Sequence, residues 1–507
     1  MVTRRIWVAM ILVALAPMLM RLALLPWWRI PRPTIHDEFS YLYAADTFAS
    51  GRLTNPAHPL WHFFEVPHVV VQPRMFSKYP PAQGMILALG QVLFGDPWFG
   101  VWLSAGVLCA AVYWMLLARV AREWALLGAV IVGSHVGLAG YWMNSFWGGN
   151  VAASAGALAI GAYLRLRTSP CPVWAALFSA GWIILAASRP YEGAVLLALP
   201  LAVSLLWRGL PWRTFAAGAT VAILGGVALG VYNLAVTGQA WKLPYSVYYE
   251  QYSYVPNIYL LPLGSPPPYR QEALAMAMKF DEEVYRTMRS RQGVARLLEE
   301  WWIIARESVP RPLLLALAVF LFTGALTGSA RWILALLGLG IFGLSVETFL
   351  FPHYFAPFFP LLILLVVLAI GHLRHRPRGQ LYVVLLLAAA GVHQLFVLRI
   401  AARRPSLENM VVLRPQLEAY LRETYEEHLI FVRDEFLSSK IRSSWIYNRA
   451  DMDTSPVIWA ADLGEEENRK LIAMYPRRKA WLLPVRLPIR LEPYGAPDPL
   501  RQPVTIE

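Results

Sequence analysis

Cysteine is almost absent from this 507-residue chain, which has two, Cys109 and Cys171. One lies in an apolar run and the other in a link, so no disulfide framework is implied. Charge is scarce too, at 15% of residues, against roughly 25% in an ordinary soluble domain. Combined with 57% hydrophobic residues, that scarcity excludes both a water-soluble globule of this length and a disordered chain. No fixed-period repeat and no low-complexity tract are found, which excludes solenoids and collagen. The chain lacks zinc-finger spacing and basic amphipathic helices, so no nucleic-acid partner is expected despite a net charge of +13.

What the chain does have is a series of apolar runs, near 6–28, 97–118, 124–142, 146–164, 172–188, 191–207, 213–236, 311–328, 331–350, 354–373 and 379–399. Most approach the roughly 20 residues that span a bilayer. They predict a polytopic α-helical membrane protein of about eleven spans. The first run is longer than a signal-peptide core and lacks a small-residue cleavage site, so it reads as a retained helix.

Arginine orients the helices. Arg4 and Arg5 precede the first run, and alternate links carry Arg119 and Arg122, Arg165 and Arg167, Arg208 and Arg213, Arg331, then Arg374, Arg376 and Arg378. Glu123 is the only acid among them. The positive-inside rule then places the N-terminus in the cytoplasm and these links on the inner face of the plasma membrane. Three polar segments fall on the extracytoplasmic side: 29–96, 238–310 and the tail 404–507. Within the tail, His428–Arg433, Val457–Ala461 and Ala480–Val485 read as strands and Glu465–Tyr475 as a helix. That is a small α/β domain appended to a membrane domain spanning 1–403.

The first outer segment opens with His36-Asp37-Glu38, followed by Phe39, Tyr41, Leu42, Ala45 and Phe48, the pattern of a helix lying in the interface. Acids in a first turn are favoured by the helix dipole, but capping accounts for one acid better than for two. Arg189 and Glu192 flank Pro190 in an apolar context, where charge defaults to a functional hypothesis unless it is a plain ion pair. Glu347, His353 and Tyr354 lie at a predicted outer helix end, where belt residues are also common. Asn144, Trp147 and Asn150 mark another outer turn. Under one topology these groups collect at one cavity. Tyr245, Tyr248, Tyr249, Tyr252 and Tyr254 suit either sugar stacking or headgroup anchoring, and 273–306, with Trp301 and Trp302, reads as an interfacial helix. His58, His62 and His68 lack the context of a zinc site, and Asp451-Met452-Asp453 is a literal but short DxD.

At Asp37-Glu38 the chain resembles the GT-C superfamily of membrane glycosyltransferases, the group of the protein O-mannosyltransferases, aminoarabinose transferases and rhizobial lipopolysaccharide galacturonosyltransferases. Lys78-Tyr79-Pro80-Pro81, Ser188-Arg189-Pro190 and Pro352-His353-Tyr354 are similar to further segments of that group, over about residues 1–400. The resemblance implies transfer of a sugar from a polyprenyl-phosphate donor to a lipid, glycan or protein hydroxyl, with inversion. It makes Asp37 the general base and has Glu38 orient the acceptor or help hold a divalent cation, Mg or Mn, although no clear DxD supports a metal. Arg189, Lys78, Arg74 and His353 would neutralise the donor phosphate, with His36, Tyr41, Asn144, Glu192 and Tyr354 lining the cavity. A transporter or flippase for a lipid-linked or anionic solute is the alternative, for which repeats and mid-bilayer polar groups would be expected.

Overall fold

A computed structural model describes residues 4–323, 328–403, 409–423, 426–433, 445–485, 489–495 and 504–506. It opens with α1 (Arg4–Ala23) and α2 (His36–Ala49), followed by a small antiparallel sheet of β1 (Asn55–Pro56), β2 (Val69–Val70) and β3 (Arg74–Ser77). The apolar helices α3 (Pro81–Phe94), α4 (Trp98–Leu116), α5 (Arg122–Ser134), α6 (Gly149–Thr168) and α7 (Pro172–Ala186) come next. Helix α8 (Leu199–Arg208) continues a π-helical stretch at Pro190–Ala198, and α9 is Trp212–Thr237. The second polar segment holds α10 (Pro244–Tyr252), α11 (Glu272–Met288) and α12 (Gln292–Ser308). Apolar helices α13 (Arg311–Phe322), α14 (Gly328–Leu344), α15 (Phe359–Arg374) and α16 (Gly379–Arg403) complete the bundle.

Arg5–Ala23, Trp98–Leu116, Pro190–Arg208, Trp212–Thr237 and Gly379–Ile400 are long and apolar enough to cross a membrane, and the chain is an integral membrane protein. The expected run at 146–164 forms the full-length helix α6, and the other expected spans are shorter or interrupted. The run at 6–28 stops as a helix at Ala23, because the Arg21 guanidinium folds forward onto the carbonyls of Trp28 (2.8 Å) and Arg29 (3.0 Å). Helix α5 passes into a π turn at His135–Ala139, and α15 starts only at Phe359, after Pro352 and Pro357. Helix α3 is apolar and was not among the expected spans. It packs so closely on α4 that a Cβ at Gly90 would stand 2.1 Å from the Gly100 nitrogen.

The tail forms α17 (Asn409–Glu423), β4 (His428–Arg433), β5 (Val457–Ala461), α18 (Glu465–Met474), β6 (Lys479–Pro484), β7 (Ile489–Pro493) and β8 (Val504–Ile506). These strands make one sheet in the order β5-β4-β6-β7-β8, with β4 parallel to both neighbours. A strand enclosed in this way reads as a continuous apolar run, and His428 to Val432 are all buried. The expected strands therefore appear almost residue for residue, with β6 beginning one residue earlier than read. One hydrophobic core joins this sheet to the first polar segment: Phe63, Phe64, Val70 and Phe76 pack together with Phe431, Trp445 and Trp459.

Candidate functional site

Helix α2 starts at His36 after an extended Ile35, which puts Asp37 and Glu38 in the first turn. Adjacent positions on a helix point about 100° apart, and the two carboxylates diverge accordingly. Glu38 is buried. Its Oε2 accepts from the Thr34 backbone N–H (2.7 Å) and hydroxyl (3.1 Å), and its Oε1 from the Phe146 N–H (3.0 Å). The Phe146 segment is held in turn by Gln83 of α3, whose amide donates to the Phe146 carbonyl at 2.9 Å. Glu38 thus ties the start of α2 to the turn before α6. Glu38→Ala is expected to cost about 1–3 kcal/mol by orphaning the buried Phe146 N–H, seen as a lower thermal midpoint in detergent.

Asp37 turns the other way. Its Oδ1 accepts a short hydrogen bond from the Tyr79 hydroxyl, and His68 Nε2 lies 3.6 Å from Oδ2. Burial alone would raise its pKa, but the charges of His68 and Lys78 and the Tyr79 bond outweigh it and hold the carboxyl well below its usual range. Lys78 is itself buried and walled by rings, its Nζ lying 4.9 Å from the Tyr248 centroid and 5.2 Å from that of Tyr79. Burial pushes its ammonium down to about 8 against the opposing pull of Asp37 and Asp281. Both sides of this cation-carboxylate pair come from the first polar segment, while α10 supplies the cover. Tyr245 meets Tyr79 edge-on at 5.6 Å, and Tyr248 packs 5.7 Å from His68.

On the far side of these rings α7 ends at Ala186, and after a short turn the chain resumes at Pro190 as π turns, a deviation that often marks a functional position. Arg189 is buried there, its Nη1 3.5 Å from Glu192 Oε1 and its guanidinium 4.7 Å above the Tyr354 ring. Tyr41, stacked on Tyr79 at 4.2 Å, feels the charges of both Arg189 and Asp37, and so do Tyr354 and His353. These rings therefore occupy the space between the two charged walls. His353 bonds through Nδ1 to the Tyr141 hydroxyl at 2.9 Å and lies 4.5 Å from the Trp147 ring. Burial first, then Arg189, pushes its pKa well below the ordinary histidine value, so it meets an anion as a neutral hydrogen-bonding ring rather than as a charge. Glu347 is also buried at this end of the bundle, and its Oε1 has no hydrogen-bond partner among the described residues.

Glycosyltransferases are among the solved structures similar to this chain. ArnT from Cupriavidus metallidurans in its apo state is 13% identical, over 92% of this chain and 91% of that one, with a TM-score of 0.48. The same protein bound to undecaprenyl phosphate is 12% identical over 95% and 93%, at 0.48. The Archaeoglobus fulgidus oligosaccharyltransferase in complex with Zn and sulfate is 11% identical over 94% and 67%, at 0.46. Both proteins are GT-C glycosyltransferases. None of these three likenesses reaches a TM-score of 0.5. No protein-family model matches the sequence, and neither does any curated protein.

Several expected site residues are placed elsewhere. Arg74 is exposed and donates at 2.8 Å to the Ala235 carbonyl near the end of α9. Asn144 accepts from Arg21 Nε at 3.2 Å and donates to the carbonyls of Leu138 and Gly140. Its side chain is thereby committed to fixing the loop, not to lining the cavity. His36 faces the tail domain, where Nδ1 lies 3.0 Å from the Tyr447 hydroxyl. His58 is bonded to the Tyr475 hydroxyl at 3.0 Å, and His62 stands 3.6 Å from Glu467. Within the literal DxD, Asp453 accepts from Tyr475 at 2.8 Å.

A divalent cation does not fit the acidic pair. Both Glu38 oxygens are occupied by Thr34 and Phe146, while Asp37 faces a protonated lysine and a tyrosine hydroxyl. Among the described residues no group of three or more His, Cys, Asp or Glu side chains is placed to hold a metal. The residues that sequence reasoning passed over are Tyr79, quoted only as part of a motif, Arg21, a lone cation in the first apolar run, and Tyr447, for which no local signal exists.

Proposed function

We propose that this protein transfers a hexose or pentose from a polyprenyl-phosphate donor to an acceptor hydroxyl at the extracytoplasmic end of its bundle, with inversion. The arrangement that carries this reading is Asp37, bonded by Tyr79 and faced by His68 and Lys78, in one ring-lined cluster with two buried cations, Lys78 and Arg189, the latter over the Tyr354 ring. The acceptor hydroxyl gives its proton to Asp37 as its oxygen bonds to the anomeric carbon. The bond from that carbon to the phosphate oxygen breaks, and its electron pair leaves with the polyprenyl phosphate. Lys78 and Arg189 stabilise the departing charge, Arg189 with a planar fork suited to two phosphate oxygens. No covalent intermediate and no metal enters the step.

A strongly depressed pKa makes Asp37 a weak base, since base strength is best matched to the operating pH. Donor binding relieves this. A phosphate seated on Lys78 offsets the charge that holds Asp37 down, so its basicity rises in the loaded complex. The transport alternative needs charges near mid-bilayer, whereas Asp37, Lys78 and His353 sit on helix ends and loops.

The reading is tested by incubating the purified protein with a panel of polyprenyl-phosphate sugars and following sugar loss in wild type and Asp37→Asn. Turnover that persists unchanged in the folded variant would remove Asp37 as the base. Orientation is tested separately. A reporter fused after Arg403 is expected to signal from the extracytoplasmic side, as the arginine-bearing links require, and a cytoplasmic signal would overturn the placement of the cleft.

A further inference from the structure

The tail meets α2 at several side chains, and one of them, Tyr447, also reaches the segment that carries His68. The Tyr447 hydroxyl donates to the Pro67 carbonyl at 2.6 Å and lies 3.0 Å from His36 Nδ1. Pro67 immediately precedes His68, and His36 immediately precedes Asp37. The two residues that form the 3.6 Å Asp37–His68 contact are therefore each held, one position upstream, by the same hydroxyl. That hydroxyl has one proton, and it goes to Pro67, so its oxygen accepts from His36 and His36 carries a proton on Nδ1. The Tyr447 ring stacks on Phe39 of α2 at 4.7 Å and 15°. Its own carbonyl accepts from Arg414 at 2.5 Å, so α17 supports it from behind. His68 itself adopts φ +70°, a left-handed conformation uncommon for residues other than glycine.

We infer that Tyr447 is a positioning residue of the tail domain that holds His68 against Asp37, making the tail part of the transfer site rather than an appended acceptor-binding module. This inference rests on the function proposed above. The groups facing Asp37 are Tyr79, His68, Lys78 and His353, from the stretch between His68 and Tyr79 and the loop before α15, and His68 is anchored through Pro67 to the tail. Positioning through hydrogen bonds is worth having because small misplacements of a reacting group cost rate steeply.

The test is Tyr447→Phe, which keeps the ring on Phe39 and deletes the hydroxyl, compared with Arg449→Ala. Arg449 pairs with Asp46 of α2 at 2.9 Å, so its loss loosens the same interface without touching His36 or Pro67. With the panel donor, Tyr447→Phe is expected to lower kcat on the order of 10-fold at unchanged KM and to move the acid limb of kcat/KM upward, as Asp37 loses His68. Arg449→Ala should do neither. Histidine-selective nitrogen NMR supplies a readout that needs no donor: the His36 proton on Nδ1 should be present in wild type and its signal displaced in Tyr447→Phe. Wild-type kcat, acid limb and His36 signal in Tyr447→Phe, with Asp37→Asn inactive, would overturn this inference and leave the proposed function standing. Equal kinetic losses in Tyr447→Phe and Arg449→Ala would overturn it as well, reducing the contact to docking. If Asp37→Asn turns over like wild type, the function proposed above falls and this inference falls with it.

Discussion

Asp37→Asn is expected to lower kcat by about 10³-fold, within the 10²–10⁴ that general bases contribute, with KM nearly unchanged. Asn keeps the size of the side chain and an oxygen that can accept from Tyr79, so the cleft should hold its shape. It has no capacity to take the acceptor proton. The pH profile separates this from a packing defect. Free Asp37 is held well below its usual range by His68, Lys78 and Tyr79 against the opposing effect of burial, so the acid limb of kcat/KM should lie below that of an ordinary aspartate. The limb of kcat, which reports the donor complex, should lie higher, because bound phosphate offsets Lys78. Coincident limbs in the wild type would show that donor binding does not tune the base.

That one acid of the pair faces the cleft was legible in the sequence only in outline. Two carboxylates in the first turn of an interfacial helix are a local pattern, and the structure starts α2 at His36 as that pattern requires. The choice of Asp37 as base came from the resemblance and not from the local pattern, which cannot show that Glu38 is drawn aside by the N–H of Phe146, 108 residues further along the chain. Arg189 and Glu192 stood out for the opposite reason: charge amid apolar residues is conspicuous wherever it folds. Asn144 looked like a cavity residue until its partner Arg21, 123 positions away, claimed its side chain. The strand β4 was readable to the residue from a run of apolar side chains. Its domain's contact with the site was not, since Tyr447 reaches Pro67 across 380 positions. Local periodicity carries elements, while a site assembled from three loops and a distant domain depends on packing that no window of sequence contains.

Lys78→Met should lower kcat/KM by about 10²–10³-fold, the scale of removing one charge-stabilising donor from a transition state. The effect has two parts. The donor phosphate loses a cation in a buried, ring-lined site where little water can replace it, and Asp37 loses one of the charges that keep it ionised. The acid limb of the variant should therefore move upward while its alkaline limb disappears. In wild type that alkaline limb belongs to Lys78, whose ammonium is pushed down to about 8 by burial. In the proposed role the protonated form binds phosphate, so kcat/KM should be full below that value and decline as pH rises through it. In the donor complex the phosphate favours the ammonium, and the limb of kcat should shift to higher pH. An alkaline limb that survives in Lys78→Met would assign it to another group and leave Arg189 as the cation that carries the leaving phosphate.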